Sequence, residues 1–136
     1  MTISKTTILE RWFEEVWNQG QEAKIDEMLA PAVKGHGLTT PDGDTVEDIS
    51  AFKSFYRGFR SAFSDIRVDV QETVTEGDKT VARCLVRAVN TGAFRGHPPT
   101  GKRVEFTGIC LVHVREGRIA ESWNNFDFET MSQQLA

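Results

Sequence analysis

The stretch RVEFTGICLVHVREGRIAESWNNFDF, residues 103–128, decides the fold because it has the pattern of two β-strands joined by a tight turn. Apolar and polar side chains alternate on both sides of Arg115-Glu116-Gly117, and this period of two is typical of strands that bury one face. Glycine suits the left-handed position of a three-residue loop, which would pair Val114 with Arg118. The turn therefore predicts the register of the last hairpin.

The predicted register assigns a face to each residue near the end of the last strand. It places Asp127 opposite Glu105, and because neighbouring strand residues point to opposite faces, Trp123, Asn125 and Asp127 share one side. If that side is the concave one, the Asp127 carboxylate points into an apolar cavity, where desolvation raises its pKa. The alternative is that Asp127 caps a terminal helical turn beginning at Phe128, since aspartate is a favoured N-cap.

The strand predicted over 81–90 supplies a neutral neighbour for this carboxylate. Its small, less charged face ends in Asn90, and closing the loop that follows places Asn90 one strand away from Asn125 and Asp127. A bulge at Gly108 would reverse the facing of the residues before it, because an extra residue shifts the alternation.

The first half of the chain has helical periodicity. Thr7-x-x-Glu10 can form a capping box, and Gly20 follows the last polar turn of the first helix. Two more helices are predicted over 21–29 and 46–63. Helices followed by antiparallel strands predict an α+β fold, in which a curved sheet lays one face on three N-terminal helices.

Length, charge and composition exclude several classes of function. The 136 residues, 39% hydrophobic, predict one domain over 1–136, and the net charge of −4 argues against a nucleic-acid partner. No apolar run suggests a signal peptide or a membrane span, so we expect a cytoplasmic protein. Cys84 and Cys110 lack metal or redox spacing, as do the three histidines, so we expect buried cysteines and no metal.

Several further side chains are candidates for a ligand site. His36 is flanked by glycines on what should be the first strand, which would allow a ligand to approach closely. A loop histidine with no functional role is an equal alternative. The aromatic candidates either line a ligand site or belong to the core, and they are Trp12, Tyr56, Phe59 and Trp123.

The second half of the chain resembles the SnoaL-like polyketide cyclase or ester cyclase family. The resemblance rests on TGAFRGHPPTGK at 91–102, on GRIAESWNNFD at 117–127 and on Gln133-Gln134-Leu135. It implies a cone-shaped, nuclear-transport-factor-like (cystatin-like) fold, in which three helices close a curved antiparallel sheet around a pocket. It also implies a homodimer formed through the sheet.

The resemblance further implies an activity. The best-understood members of the family close a polyketide ring by intramolecular aldol condensation, without metal or cofactor, and their general acid/base falls on Asp127. Asn124 and Asn125 would be hydrogen-bond donors to an enolate, of which only Asn125 shares the predicted face of Asp127. Many members have a histidine where this chain has Asn90, so a neutral amide replaces an imidazole.

Two classes of function follow from these patterns. The first is a cofactor-free enzyme that uses Asp127 for proton transfer on a carbonyl-bearing, largely apolar small molecule. The second is a binding or assembly module, which holds a hydrophobic ligand in the same pocket and a partner on the outer sheet face. The two differ in what they require of Asp127, because only the enzyme needs a raised pKa and access to the cavity.

Overall fold

The computed structural model describes residues 6–136, and it begins with the predicted capping box. The Thr7 side chain accepts from the backbone N–H of Glu10, whose carboxylate accepts in return from the Thr7 backbone. Helix α1, Ile8–Arg11, runs on as a π-helical segment, Trp12–Asn18, so the first predicted helix is confirmed with a widened second half.

Three further helices follow along the chain. Helices α2, Ala23–Met28, and α3, Ile49–Ala62, confirm the second and third predicted helices. Helix α4, Phe128–Leu135, closes the chain and is longer than the single terminal turn considered from the sequence. Asp48 caps α3 by accepting from the backbone N–H of Ala51 at 2.8 Å.

Six strands form one curved, unclosed sheet in the order β2-β1-β6-β5-β4-β3. Their bounds are β1 Leu29–Thr39, β2 Thr45–Val46, β3 Phe63–Glu76, β4 Lys79–Asn90, β5 Arg103–Arg115 and β6 Arg118–Phe126. The α+β fold class is therefore confirmed. The expectation of a wholly antiparallel sheet is wrong in one place, because β1 and β6 pair in parallel. No hairpin joins these two strands, so no turn imposes an antiparallel pairing on them.

The turn of the last hairpin differs from the prediction. It is a two-residue turn at Glu116 and Gly117, whose φ values of 52° and 78° are both left-handed, and it pairs Arg115 with Arg118. A bulge near His113 then shifts the pairing, so that Trp123 lies opposite Leu111 instead of Ile109. The predicted pairs were wrong by one residue next to the turn and by two residues beyond the bulge. Because side chains alternate between the two faces of a sheet, a shift of two residues leaves each side chain on the same face as the residues that were predicted to share it.

The assignment of the concave face was wrong, however. Val104, Phe106 and Cys110 are buried against the helices, whereas Ile109 is 48% exposed, so the face that carries Ile109 and Trp123 is the outer one. The pairing of β4 with β5 is continuous through Gly108, with no bulge there.

Gly108 has a packing role on the concave face. A Cβ atom at this position would lie 2.1 Å from Cδ1 of Phe126, so glycine leaves the space that the Phe126 ring occupies. The alternation that brings Phe126 inside also turns Trp123 and Asn125 outside.

Two side chains join the N-terminal helix to the rest of the fold. Asn18 pairs with the backbone of Val68, donating to its carbonyl oxygen at 3.0 Å and accepting from its N–H at 2.7 Å. The buried Tyr56 hydroxyl donates to the carbonyl oxygen of Val16 at 2.7 Å. These bonds hold the π-helical segment against β3 and α3 and orient its aromatic side chains inward.

Candidate functional site

An apolar inner cavity of about 60 Å³ lies between the helices and the concave face of the sheet. At this size it has room for about two water molecules, at roughly 30 Å³ each, but not for a drug-sized ligand. Its lining is Trp12, Phe13, Trp17, Leu38, Phe52, Phe55, Phe59, Ile66, Val68, Val86, Phe106, Asn124, Phe126 and Phe128.

A larger groove, which we call the mouth groove, adjoins the inner cavity and measures about 480 Å³. It lies between residues 37–43, helix α3, residues 93–96 and the start of α4. The two spaces share four wall residues, Leu38, Phe55, Phe59 and Phe128. A ligand lying in the mouth groove would therefore contact the same rings that close the inner cavity, and the groove volume falls within the range of small-molecule sites.

Among the described residues, Asn124 is the one carboxamide that lines the inner cavity. Its Nδ2 donates to the backbone carbonyl of His36 at 3.0 Å and to the Ser122 hydroxyl at 2.9 Å, while its Oδ1 accepts a weak bond from the Cys110 thiol. Both amide protons are thus engaged within the protein. Among the lining residues in the described part of the chain, none has a carboxylate, imidazole, ammonium or guanidinium group.

Asp127 does not have the environment predicted for it. It is exposed and caps α4: Oδ1 accepts from the Thr130 backbone N–H at 3.0 Å, and Oδ2 accepts from the Thr130 hydroxyl at 2.6 Å. The hydroxyl bond, followed by the backbone bond, holds the pKa of Asp127 below its usual value. The expected raised pKa in an apolar cavity was wrong, and the capping alternative is confirmed.

Asn90 is a buried structural residue, 1% exposed. Its Nδ2 donates to the carbonyls of Ala62 and Gly92, each at 3.0 Å, and its Oδ1 accepts from the backbone and hydroxyl of Thr100 at 2.8 and 3.0 Å. The side chain fastens both ends of the loop 91–102. Asn90 borders a different cavity from the one predicted, on the side of the loop away from the mouth groove.

His36 and Trp123, two of the predicted ligand residues, contact each other on the outer sheet face and not in the inner cavity. The ring of Trp123 stacks on His36 with centroids 5.1 Å apart and meets His113 on its other side at 4.7 Å. The Nε2 atom of His36 lies 2.6 Å from Oε2 of Glu121, and this contact lowers the pKa of the Glu121 carboxyl. These side chains form a polar aromatic cluster on the opposite side of the sheet from the inner cavity.

The remaining predicted ligand residues divide between the two sides of the sheet. Trp12 and Phe59 line the inner cavity, and Phe59 also borders the mouth groove. Tyr56 is 2% exposed and lines neither space, because its hydroxyl is bound to Val16. Asn125 lies exposed on the outer face, beside a depression of about 580 Å³ that Asp127 also borders.

The sequence patterns missed most of the mouth groove. Leu38, Phe55 and Phe128 border both spaces, and Arg95 adds a guanidinium group to the mouth. Phe55 was visible in the apolar stripe of the third predicted helix. The others had no periodic signal, because they lie in loops or at the ends of elements, which long-range packing brings together.

Metal ligands, reactive thiols and membrane-spanning helices are three further features to consider within residues 6–136. No group of three or more His, Cys, Asp or Glu side chains there is arranged to hold a metal ion. The two cysteines are free and buried, and burial raises the pKa of each thiol to about 12, which keeps both protonated near neutral pH. No helix in this part of the chain has the length and apolarity needed to cross a bilayer.

A helix-covered curved sheet with an apolar interior and a lateral mouth defines a class of small α+β proteins built around a ligand-sized space. The model of the SnoaL-like polyketide cyclase family matches residues 7–135, and the chain belongs to that family. A pathogen-related protein of Hordeum vulgare is 33% identical over 81 residues, which are 60% of this chain and 33% of that protein. The chain thus spans about a third of that relative's length.

Solved structures agree with this assignment. IdmH of Streptomyces antibioticus, a proposed polyketide cyclase, is 30% identical, with 90% of this chain and 92% of that chain covered and a TM-score of 0.75. A proposed polyketide cyclase of Acidithiobacillus ferrooxidans is 28% identical over 98% and 97% of the two chains, with a TM-score of 0.80. TsrD of Streptomyces laurentii, 23% identical over 95% and 92%, shares the fold with a TM-score of 0.80.

Proposed function

We propose that this protein has a cyclase-type role and that it binds a largely apolar, carbonyl-bearing small molecule in the mouth groove, with one end directed into the inner cavity. The observation that carries the proposal is that the two spaces share four wall residues, which are Leu38, Phe55, Phe59 and Phe128. Burial of a flat apolar ligand against these rings supplies the binding free energy, at roughly 25 cal/mol per Å² of apolar surface.

Confinement is the first contribution of such a site to ring closure. A flexible dicarbonyl chain closes only when its reacting carbons meet, and a narrow aromatic groove favours its folded conformers over extended ones. A carbonyl oxygen of the ligand would be stabilised by the polar groups that line the groove. The mouth groove offers the backbone of residues 37–43 and the guanidinium group of Arg95.

Asp127 is the proposed general acid/base, on the strength of the family motif. Its neighbour in the chain, Phe128, lines both spaces, but the Asp127 carboxylate borders the depression on the outer face and must turn toward the groove to reach a ligand. To act on a bound ligand, it must exchange its bonds to Thr130 for the substrate. Exposed capping bonds exchange readily with solvent, so their loss is a small cost to the protein. The possible gain is larger, because general acid–base catalysis contributes about 10²–10⁴-fold in rate.

A binding module without catalysis is the second candidate, and a specific observation favours it. The bonds from Thr130 lower the pKa of Asp127, which makes the carboxylate a weaker base, and the inner cavity has a neutral lining throughout its described residues. A module would use the same groove to hold an apolar ligand unchanged.

A model reaction separates the two candidates. Heptane-2,6-dione closes by intramolecular aldol condensation to 3-methylcyclohex-2-enone and water, and the enone absorbance reports the rate. We expect the wild-type protein to accelerate this reaction and Asp127→Asn to lose roughly 100-fold or more of the acceleration. Asparagine also caps helices well, so the variant keeps its fold. Equal rates for both proteins would remove Asp127 from the mechanism, and no acceleration by either would favour the module.

We also propose that two copies associate through the outer sheet face. Ile109 is 48% exposed there, beside the half-buried Leu111 and Trp123, and this apolar area would be covered by a second copy across a two-fold axis. Light scattering after size exclusion should give the mass of a dimer for the wild type and of a monomer for Ile109→Glu. A monomeric wild type at high protein concentration would contradict the proposal.

A further inference from the structure

Arg95 brings a positive charge to the rim of the mouth groove. It lines the groove together with Phe94 and Gly96, and its guanidinium carbon lies 5.0 Å from the centre of the Phe94 ring. Stacking on an aromatic face leaves the N–H edge of a guanidinium available for a planar acceptor. The contact with the Phe94 ring thus holds the Arg95 side chain near the groove, while its hydrogen-bond donors stay available.

The charge of Arg95 is not neutralised by the protein. Within residues 6–136, five other arginines form ion pairs with carboxylates, and they are Arg11, Arg57, Arg67, Arg83 and Arg87. Arg95 has no such partner there, and no carboxylate is among the residues that line the mouth groove. An anion in the groove would therefore meet one cation and no carboxylate among the lining residues.

The loop that carries Arg95 is anchored on both sides of it. Asn90 binds the base of the loop through four hydrogen bonds, and the Phe94 ring packs against Phe63 and Phe59 with centroids 5.2 and 6.4 Å away. Phe94 and His97 also bond each other through their backbones at 2.9 and 3.0 Å. These contacts define where residue 95 lies relative to the groove.

The other basic groups near this loop do not serve the groove. His97 borders the cavity on the opposite side of the loop, among Pro98, Thr100 and α4. The Lys102 ammonium group donates to the Ala136 carbonyl oxygen at 2.6 Å. Arg95 borders both spaces and is the one cationic side chain that the described residues contribute to the mouth groove.

We propose that Arg95 selects ligands with an anionic oxygen, a carboxylate or an enolate, at the end of the molecule that remains at the mouth. The apolar remainder lies along Phe55 and Phe59 and points toward the inner cavity. This inference rests on the proposed ligand site and deepens it by giving the ligand a charge and an orientation. Arg95 is a specificity-determining residue here, and it does not itself donate or accept the transferred proton.

A pair of probes that differ in charge tests the proposal. Naphthalene-2-carboxylate and 2-acetylnaphthalene have nearly the same shape, and only the first has a negative charge. Their binding is followed by quenching of tryptophan fluorescence, since Trp12 and Trp17 line the inner cavity. We expect the wild type to prefer the carboxylate by about tenfold, a modest factor because the rim is open to water. Arg95→Gln should abolish the preference, and Arg95→Lys should retain part of it.

The controls separate failure of this inference from failure of the ligand site. Arg115→Gln removes an equal charge at the hairpin turn and should leave the preference unchanged. Equal binding of both probes by the wild type, or an undiminished preference in Arg95→Gln, would overturn the role of Arg95 while leaving the ligand site intact. If neither probe binds the wild type, the ligand site itself fails, and the inference fails with it.

Discussion

The carboxylate of Asp127 and the residue Thr130 form two hydrogen bonds, one from the backbone N–H at 3.0 Å and one from the hydroxyl at 2.6 Å. These bonds cap the N-terminus of α4. Near the other end of α4, the side-chain amide of Gln134 binds the backbone of Glu105 through both its oxygen and its nitrogen, each at 2.8 Å. Strand β6 has already ended opposite Gly108, so Gln134 satisfies backbone groups on β5 that no strand partner reaches.

The cap gives a first prediction about stability. Asp127→Ala should lower the urea midpoint, because it leaves the first turn of α4 without an acceptor, whereas Asp127→Asn should keep it near the wild-type value. The folded pKa of Asp127 is lowered, so its stabilising effect is present above the ordinary carboxyl pKa and is lost as the pH falls through the lowered value. A wild-type midpoint for Asp127→Ala would show that the cap contributes nothing.

The contact between Glu121 and His36 gives a second prediction. Because the hydrogen bond from His36 lowers the pKa of Glu121 in the folded state, its stabilisation is present above the ordinary glutamate pKa and lost as the pH falls through the lowered value. Urea midpoints measured from about pH 6 down to about pH 3 should fall less steeply for Glu121→Gln than for the wild type. Parallel pH profiles would mean that the contact does not form in solution.

Replacing Asn90 should cost far more stability than replacing a surface asparagine. Asn90→Ala removes a buried side chain that donates to two backbone carbonyls and accepts from one backbone N–H, and we expect a loss of about 3 kcal/mol in the free energy of unfolding, measured by urea denaturation. Asn125→Ala, on the exposed outer face, is the matched control and should stay within about 0.5 kcal/mol of the wild type. A loss of similar size in both variants would argue against the anchoring role.

Gly108 should resist enlargement by even one methyl group. Gly108→Ala places a carbon 2.1 Å from Cδ1 of Phe126, so the ring must move into the inner cavity, and we expect destabilisation of about 1–3 kcal/mol together with weaker binding of 2-acetylnaphthalene. Thr107→Ala, its exposed neighbour, should change neither quantity appreciably. Unchanged stability in Gly108→Ala would mean that the Phe126 ring is not packed there.

Much of the fold was predictable because it depends on near neighbours in the chain. The capping box at Thr7 and Glu10, the helical stripe of α3 and the alternation of β4 and β5 are local patterns, and all of them appear in the structure. The family motif also identified Asp127 as a notable position, and the local capping preference of aspartate correctly described its contacts.

The candidate site was harder to predict, because alternation alone does not tell which face is buried. On β5, the apolar residues Ile109 and Leu111 favour burial of one face, and the apolar residues Val104 and Phe106 favour burial of the other face. The packing of the Phe126 ring against Gly108 is compatible with burial of the face that carries Val104 and Phe106. When this face is inside, Asn124 lines the cavity in place of Asn125.

The sequence by itself determined the fold class, the helices and the approximate strands, since these follow from periods and caps within a few residues. Tertiary structure decided the parallel pairing of β1 with β6, the inward face of the sheet and the assembly of the mouth groove from residues 37–43, α3 and 93–96. Such features depend on contacts between segments far apart in the chain. Their energies come from mutual packing, which no single segment encodes.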